Sequence, residues 1–523
     1  MSLNGREIEL KLEVGATDVA RVKHRLRQLA HTKPVVKTLV SIYFDTPHWT
    51  LREHGLSLRV RRAGHAFTQT VKSAGDRSVG LYDRGEWEHP TRGPQPELRW
   101  TRKTPLGPLM RGRPAKSLLP MFETRFRRTA YQLTSAAAVI AATLDQGSAR
   151  ARSRRCSICE VELELLDGRT DELFRVAKAL GSIVPLHLAT KSKADRGYEL
   201  LSGKGNMPPP PLKVRLEESA TAGSAFQTVA RACLQQLLSN KTSALVGDRE
   251  ALHHMRIALR RLRAAISVFS RVVTDGQTPR IKSGLRWIAH QLGPARDVDV
   301  FIADVLDPLR DHGRRDRGVS RLRRAFERHR TTAYAQVASS VRSRRFRRLE
   351  LELAQWIEAG RWLTNQSVSA TRRRGEAVTP LIVRALARRR RKLRKAGRRL
   401  TRLSRRRRHK LRVRAKKLRY IVEFSAGLFP GKKHAKRYAA ILSALEALQD
   451  SLGALNDLAR RGAVSHGVSV VQSEAARLTG SGLAPNPIAS LVNPVAQQER
   501  VDQLLAEAVI AYRHFCTRKP FWE

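Results

Sequence analysis

The stretch Glu7-Ile8-Glu9-Leu10-Lys11-Leu12-Glu13-Val14 alternates strictly between charged and aliphatic residues. Side chains alternate across a strand, so Glu7, Glu9, Lys11 and Glu13 share one face and the aliphatics the other. One such strand would ordinarily be a solvated sheet face, but the design recurs. Leu58-Arg59-Val60-Arg61 sets two arginines on one face, and Thr68-Gln69-Thr70-Val71-Lys72 ends on a lysine. Glu86-Trp87-Glu88 and Arg125-Phe126-Arg127 repeat it, and Glu160-Val161-Glu162-Leu163-Glu164-Leu165 carries three carboxylates in line. A solvated face mixes signs and uses Thr, Ser or Gln. Here, Lys11 apart, acid-only and base-only strands stand apart.

If these faces turn inward in a closed barrel, carboxylates from the first and last strands can meet. They would form a hard, oxygen-rich site suited to Mg²⁺ or Mn²⁺. The Arg and Lys faces would line the same lumen and bind phosphoryl oxygens, Arg through its bidentate fork. Such an interior makes sense only around a highly charged ligand, because buried unpaired charge is costly. The elements that must position these residues are short strands separated by turn residues, a period-two pattern that prevails to about residue 204. Residues 205–221, with prolines at 208 to 211, read as a stiff extended linker, and from residue 222 to 523 the pattern is helical.

The chain has 523 residues, enough for two to four domains, and its 100 Lys+Arg against 46 Asp+Glu leave a net charge of +54. Residues 1–204 carry a net +15 and the remainder +39. Such an excess narrows the partners to polyanions. Four Cys exclude a disulfide scaffold and fit a reducing compartment. Cys156 and Cys159 form a C-x-x-C without the second pair or His cluster that zinc requires. No apolar run reaches the roughly 18 residues of a membrane span, and Arg6, Glu7 and Glu9 argue against a signal peptide. The expectation is a cytoplasmic protein without membrane partners, with association to polyphosphate granules as an extension; no protein partner is indicated.

The helical half is duplicated. His253-His254-Met255-Arg256-Ile257-Ala258-Leu259-Arg260-Arg261-Leu262-Arg263 aligns with His409-Lys410-Leu411-Arg412-Val413-Arg414-Ala415-Lys416-Lys417-Leu418-Arg419 at an offset of 156 residues. About forty residues later come Leu292-Gly293-Pro294-Ala295-Arg296-Asp297 and Leu452-Gly453-Ala454-Leu455-Asn456-Asp457. Two repeats, about 222–375 and 376–523, are expected to pack as a pseudo-symmetric bundle. His253, Arg256, Arg260 and Arg263 fall within a narrow arc of one helix, and His409, Arg412, Lys416 and Arg419 repeat the offsets. A solvated helix face would interleave acids at i+4, and neither segment contains one. From Arg384 to Arg419 there are 21 Lys and Arg and no acid. That block could bind nucleic-acid phosphates, but it lacks interleaved aromatics and any DNA-binding motif, so nucleic acid is the less favoured partner.

The first half resembles the CYTH family, the triphosphate tunnel metalloenzymes. The resemblance rests on Glu7-x-Glu9-x-Lys11, Tyr43-Phe44-Asp45-Thr46-Pro47, Leu58-Arg59-Val60-Arg61, Val71-Lys72, Glu160-Val161-Glu162-Leu163-Glu164 and Lys191-Ser192-Lys193-Ala194-x-Arg196-Gly197-Tyr198, in that order. It implies an α+β domain over 1–204 built on an antiparallel β-barrel tunnel that binds a linear triphosphate and divalent metal. By that resemblance Glu7, Glu9, Glu162 and Glu164 are metal ligands. Lys11, Arg59, Arg61, Lys72, Arg125, Arg127 and Lys193 are triphosphate binders, and Glu7, Glu9, Lys11, Arg59 and Arg61 carry catalysis. Glu86 and Glu88 are further acidic tunnel residues, and Thr91 to Pro120 reads as an insertion that could alter access.

The two helical signatures resemble the CHAD domain, which implies an all-α duplicated helical bundle binding inorganic polyphosphate. His253, Arg256, Arg260, Arg263, His409, Arg412, Lys416 and Arg419 would line its channel. Together the resemblances imply a metal-dependent inorganic triphosphatase, using Mg²⁺ or Mn²⁺, whose helical domain binds polyphosphate. The alternative is a non-catalytic polyphosphate-binding or targeting protein; an organic triphosphatase or class IV adenylyl cyclase ranks lower. No P-loop and no Ser/His/Asp or Cys/His arrangement competes with this reading.

Overall fold

The alternation of β1 (Arg6–Val14) buries both of its faces. In a computed structural model describing residues 6–110, 117–203, 214–307, 317–479 and 494–523, eight antiparallel strands close into a barrel. The ring runs β1, β9 (Arg154–Gly168), β8 (Ala138–Ala151), β7 (Leu119–Ser135), β2 (Val35–Asp45), β3 (Leu56–Ala63), β4 (Ala66–Ser73) and β6 (Leu81–Thr91). The β1–β6 ladder, from Arg6↔Gly85 to Leu10↔Leu81, closes it. The short strands β5 (Asp76–Arg77) and β10 (Leu186–Leu188) pair at its margins with β6 and β1. Closure removes the exposed edges that an open sheet must protect.

The aliphatic positions of β1 and β9, Leu10, Leu12, Val161 and Leu163, face outward and are fully buried. They pack in one core with the helices Val19–Leu29 and Thr170–Gly181. On the other side, the outward residues of β2, β3 and β4 form a separate small core with Leu98, Leu106 and Met110. The insertion after β6 thus lies against the outside of the barrel, with residues 111–116 outside the described residues.

One end of the barrel is filled by the helix Lys193–Ser202. Ser192 and Asp195 form a capping box at its start, which satisfies amide groups that a helix start leaves unpaired. Tyr198 packs edge-on against Phe122, and its hydroxyl donates to Asp45 at 2.6 Å. Asp45 also accepts from the amides of Thr46, Leu51 and Arg52, so the Phe44-Asp45-Thr46-Pro47 segment is a structural fastening between a turn and this helix. A Cβ at Gly197 would lie 2.1 Å from the Phe122 ring, which is why the helix carries glycine there.

The helical half starts at Ala222–Ser239 and restarts at Val378–Gly397. Thr221 and Ala377, 156 positions apart, form an antiparallel bridge, so equivalent ends of the two repeats meet. Glycine 203 ends the barrel half; the proline segment at 208–211 lies outside the described residues. The two halves share one apolar core, which continues from Leu173 and Phe174 to Phe226 and Trp356. Glu350, fully buried on the helix Arg344–Ala359, takes His187 of β10 at 3.0 Å and Lys241 at 3.3 Å. Among the described residues no helix is long and apolar enough to cross a membrane.

Candidate active site in the barrel and basic seam between helices

Register decides which charges enter the lumen. On the β1–β9 ladder Glu9 stands opposite Glu164, Lys11 opposite Glu162 and Glu13 opposite Glu160. Across β2–β3, Tyr43 faces Arg59 and Ser41 faces Arg61. Across β4–β6, Lys72 faces Glu86. A cavity of about 290 Å³ results, lined by Glu7, Glu9, Lys11, Arg59, Arg61, Lys72, Glu86, Glu88, Glu162, Glu164 and Lys193 together with Tyr43, Arg84 and Arg128.

Most of these charges are paired. Lys11 bridges Glu9, at 2.9 Å, and Glu162. Lys193 sits among Asp145 at 2.7 Å, Glu160 at 2.5 Å and Glu162 at 2.8 Å. Arg128 grips Asp145 through two bonds and reaches Glu162 at 2.6 Å. Burial disfavours the Glu162 anion, yet Lys11, Lys193 and Arg128 hold its carboxyl well below the ordinary range. Lys72 joins Glu7 at 2.7 Å to Glu86 at 2.9 Å.

Three groups depart from this balance, one of them Glu88, which accepts from the Thr70 hydroxyl at 3.0 Å but has no ion pair among the described residues. Glu164 has no ion-pair partner among the described residues; burial, then the carboxylates of Glu7, Glu86 and Glu9, push its pKa up to about 7. Arg61 has no anionic partner among them either, and its buried Nε lacks a hydrogen bond. Burial, then the like charges of Arg59 and Arg128, pull its pKa down to about 10. One lumen therefore holds two carboxylates without an ion-paired cation, Glu164 and Glu88, and a guanidinium, Arg61, without an ion-paired anion.

Two expected binders are elsewhere. Arg125 and Arg127 are exposed on the outer face of β7 and do not line the cavity. They share that face with Tyr131 and Leu133, which pack beneath the helix Val19–Leu29, so the inward residues of β7 are Phe122, Thr124, Phe126 and Arg128. The apolar Tyr131 and Leu133 are the sequence signal that could have set the parity. Arg128, Arg84, Asp145 and Glu160 enter the charge network without having been assigned a role from the pattern.

In the helical half, His253, Arg256, Arg260 and Arg263 lie on the helix Arg249–Val268, and His409, Arg412, Lys416 and Arg419 on Arg405–Phe424. The two helices meet: Arg260 Nε donates to the Tyr420 hydroxyl at 3.1 Å. His253 registers both stripes; burial, then Arg296, Arg260, His254 and Lys416, pull its pKa down to about 4. Arg256 donates to the Ala289 carbonyl and Arg412 to that of Gln449, both at 3.4 Å. A Cβ at Gly293 would stand 3.5 Å from Arg256 and one at Gly453 2.9 Å from Arg412, so the two repeated motifs touch each other. Arg263 and His409 are exposed, and Arg419 is engaged by Glu423, at 3.1 Å, which lies four residues beyond the acid-free segment.

Residues 5–198 match the CYTH domain and residues 228–464 the CHAD domain. The chain is a CYTH domain followed by a CHAD domain. An inorganic triphosphatase of Haemophilus influenzae is 28% identical over 201 residues, covering 37% of this chain and 55% of that protein. The chain thus spans about half the length of that relative. Among solved structures, the CHAD domain of the plant Ricinus communis is 25% identical, with a TM-score of 0.46 over 60% of this chain and 98% of that one. HpAC1 from Hippeastrum, described as having a dominant triphosphatase activity, is 16% identical, with a TM-score of 0.30 over 38% and 96%.

CYTH tunnels use divalent metals, and two places in the lumen can be tested for one. Asp145, Glu160 and Glu162 bring ligand atoms within 4.8 Å of one another, the one such group among the described residues. The Lys193 ammonium already lies among them, so that group has its cation. In the wall of Glu7, Glu9, Glu86 and Glu164 the first three carboxylates are held by Lys72, Arg84 and Lys11, so a hard divalent ion fits there through Glu164, which has no ion-pair partner among the described residues.

Proposed function

We propose that the CYTH domain hydrolyses inorganic triphosphate, or short polyphosphate, with Mg²⁺ or Mn²⁺, and that the CHAD domain holds longer polyphosphate along its basic seam. The observation that carries this reading is the pair of uncompensated groups in one cavity, Glu164 and Arg61. A metal–triphosphate complex supplies both missing charges at once. The identity to the Haemophilus inorganic triphosphatase supports the same substrate class.

Glu7, Glu9 and Glu164, with Glu162 at the next rung, would hold the cation, which when bound neutralises phosphoryl charge and acidifies water. Arg59 and Arg61 present forked donors to the phosphoryl oxygens, where negative charge is spread in the transition state, and Arg128, whose fork holds Asp145 and Glu162, adds positive charge beside them. Lys11, Lys72 and Lys193 add point charges, and Glu162 fixes two of them by accepting from Lys11 and Lys193. The ion pairs place these donors before the substrate enters, so little reorganisation is left for the reaction itself.

A purely polyphosphate-targeting protein would not need a carboxylate wall without its counter-cation. A cyclase would need a base-stacking platform at the tunnel; the His89–Trp100 stack, at 3.6 Å, joins β6 to the insertion and does not line the cavity. The test is phosphate release from inorganic triphosphate, ATP and thiamine triphosphate side by side, with Mg²⁺, Mn²⁺ or chelator. Preference for inorganic triphosphate and loss with chelator are expected; equal turnover of ATP would point to an organic triphosphatase.

A further inference from the structure

Arg84 stands directly opposite Glu7 on the β1–β6 ladder that closes the barrel. Its Nε donates to Glu7 Oε2 at 3.1 Å and its Nη2 to Glu9 Oε1. The same guanidinium lies 4.9 Å from the centre of the Tyr82 ring, which supports it from another side. Lys72 bonds both oxygens of Glu7, at 2.9 and 2.7 Å, and Lys11 sits 2.9 Å from Glu9 Oε2. Every carboxylate oxygen of the Glu7-x-Glu9 pair is thus engaged by a fixed cation of the protein. The oxygens of Glu7, Glu9 and Glu164 do not converge within the 4.8 Å that unites the Asp145 group.

We propose that Arg84 is a competing internal cation that withholds Glu7 and Glu9 from a divalent metal until triphosphate offers the guanidinium new acceptors, so that metal and triphosphate load together. The inference rests on the reading of the barrel as a metal–triphosphate site. A metal arriving alone must displace Arg84 from two charged hydrogen bonds and leave it in a lumen that already contains the unpaired Arg61. Stranding a buried charge is costly. Phosphate oxygens remove that penalty, because a guanidinium bonds them with the same forked geometry as carboxylate. Arg84 is in this sense a positioning residue, acting on phosphoryl transfer through the metal ligands.

The test is Mn²⁺ retained by the full chain in equilibrium dialysis, with and without a methylene-bridged triphosphate analogue present at equal concentration on both sides, so that Mn²⁺ chelated by free analogue cancels. Wild type is expected to bind Mn²⁺ alone weakly and at least about tenfold more tightly with the analogue, the ratio corresponding to loss of one charged hydrogen bond. Arg84→Gln should bind Mn²⁺ alone about tenfold more tightly than wild type, because its ligands are released. Arg84→Lys, whose single ammonium keeps the charge but cannot fork across both carboxylates, should be about threefold tighter, and it carries the test if the Gln variant does not fold. A merely structural role would weaken metal binding in both. Mn²⁺ affinity no tighter than wild type in the folded variants overturns the proposal. Wild type that binds no Mn²⁺ even with the analogue overturns the metal–triphosphate reading itself; coupled loading in wild type with no gain in the variants removes Arg84 alone.

Discussion

Glu9 and Glu164 face each other directly across the β1–β9 ladder, two carboxylates on one rung inside a closed barrel. Directly opposed side chains in an antiparallel pair have Cβ atoms about 5 Å apart, and like charges there are destabilising. Glu9 is answered by Lys11 and Arg84, while Glu164 is left to a ligand. Glu164→Gln is therefore expected to stabilise the ligand-free protein by on the order of 1 kcal/mol in chelator. It should also remove the stabilisation that Mn²⁺ and triphosphate give wild type. Thermal unfolding with and without those ligands reads both effects; unchanged ligand stabilisation would take Glu164 out of the metal site.

Arg61 gives the complementary expectation. Arg61→Ala relieves a buried cation flanked by Arg59 and Arg128, so the free protein should be at least as stable as wild type. Triphosphate binding should weaken by about tenfold or more, the equivalent of one charge-assisted hydrogen bond. Arg125→Ala and Arg127→Ala, on the outer face, should leave both unchanged. Titration calorimetry on the three variants separates lumen from exterior.

Glu162 is the hub for Lys11, Lys193 and Arg128. Glu162→Gln takes one partner from each of those cations, while Lys11 keeps Glu9, Lys193 keeps Asp145 and Glu160, and Arg128 keeps Asp145, so it should cost about 2 kcal/mol of stability through weakened charged hydrogen bonds. Loss of activity in that variant alone would not identify a metal ligand. Glu7→Gln is the more selective substitution, since Lys72 retains Glu86. Near-normal metal-dependent turnover in folded Glu7→Gln would remove Glu7 from the ligand set.

For the CHAD seam, a bound polyanion should raise the His253 pKa from the value near 4 imposed by burial and the surrounding cations. The bound state then holds more protons than the free state between those two pKa values. Polyphosphate affinity at fixed ionic strength should accordingly rise as pH falls from 7 toward 5 and level off below about 4. In His253→Gln this component should vanish. A pH profile identical to wild type would place the chain away from His253.

Gly453→Ala brings a methyl to within 2.9 Å of the Arg412 guanidinium, whereas Gly293→Ala makes an ordinary 3.5 Å contact with Arg256. The end of an arginine moves cheaply, so neither change should alter the unfolding temperature much. Gly453→Ala alone should weaken polyphosphate binding, by a few-fold, through the displaced Arg412. Competition between polyphosphate and double-stranded DNA of equal phosphate content, on the same proteins, tests whether the seam excludes a duplex. Equal competition would make it an open nucleic-acid surface.

The alternation at Glu7-x-Glu9-x-Lys11 and at Glu160-x-Glu162-x-Glu164 determined by itself which side chains share a strand face, because that period is a property of the local backbone. The 156-residue offset likewise determined the duplication, since equivalent helices must repeat equivalent contacts. Which face points inward was not local. Arg125-Phe126-Arg127 has the same alternation as Leu58-Arg59-Val60-Arg61, yet β7 turns Phe126 and Arg128 to the lumen, because Tyr131 and Leu133 must lie under a helix on the other side. Ion pairing was not local either. Glu7 meets Arg84, Asp145 meets Lys193, and Glu350 meets His187 only because closure and the shared core bring distant strands and helices together. The carboxylates of Glu164 and Glu88 and the guanidinium of Arg61 are what remains in the lumen after those pairings. Charge balance is a sum over neighbours in space, and no spacing along the chain contains it.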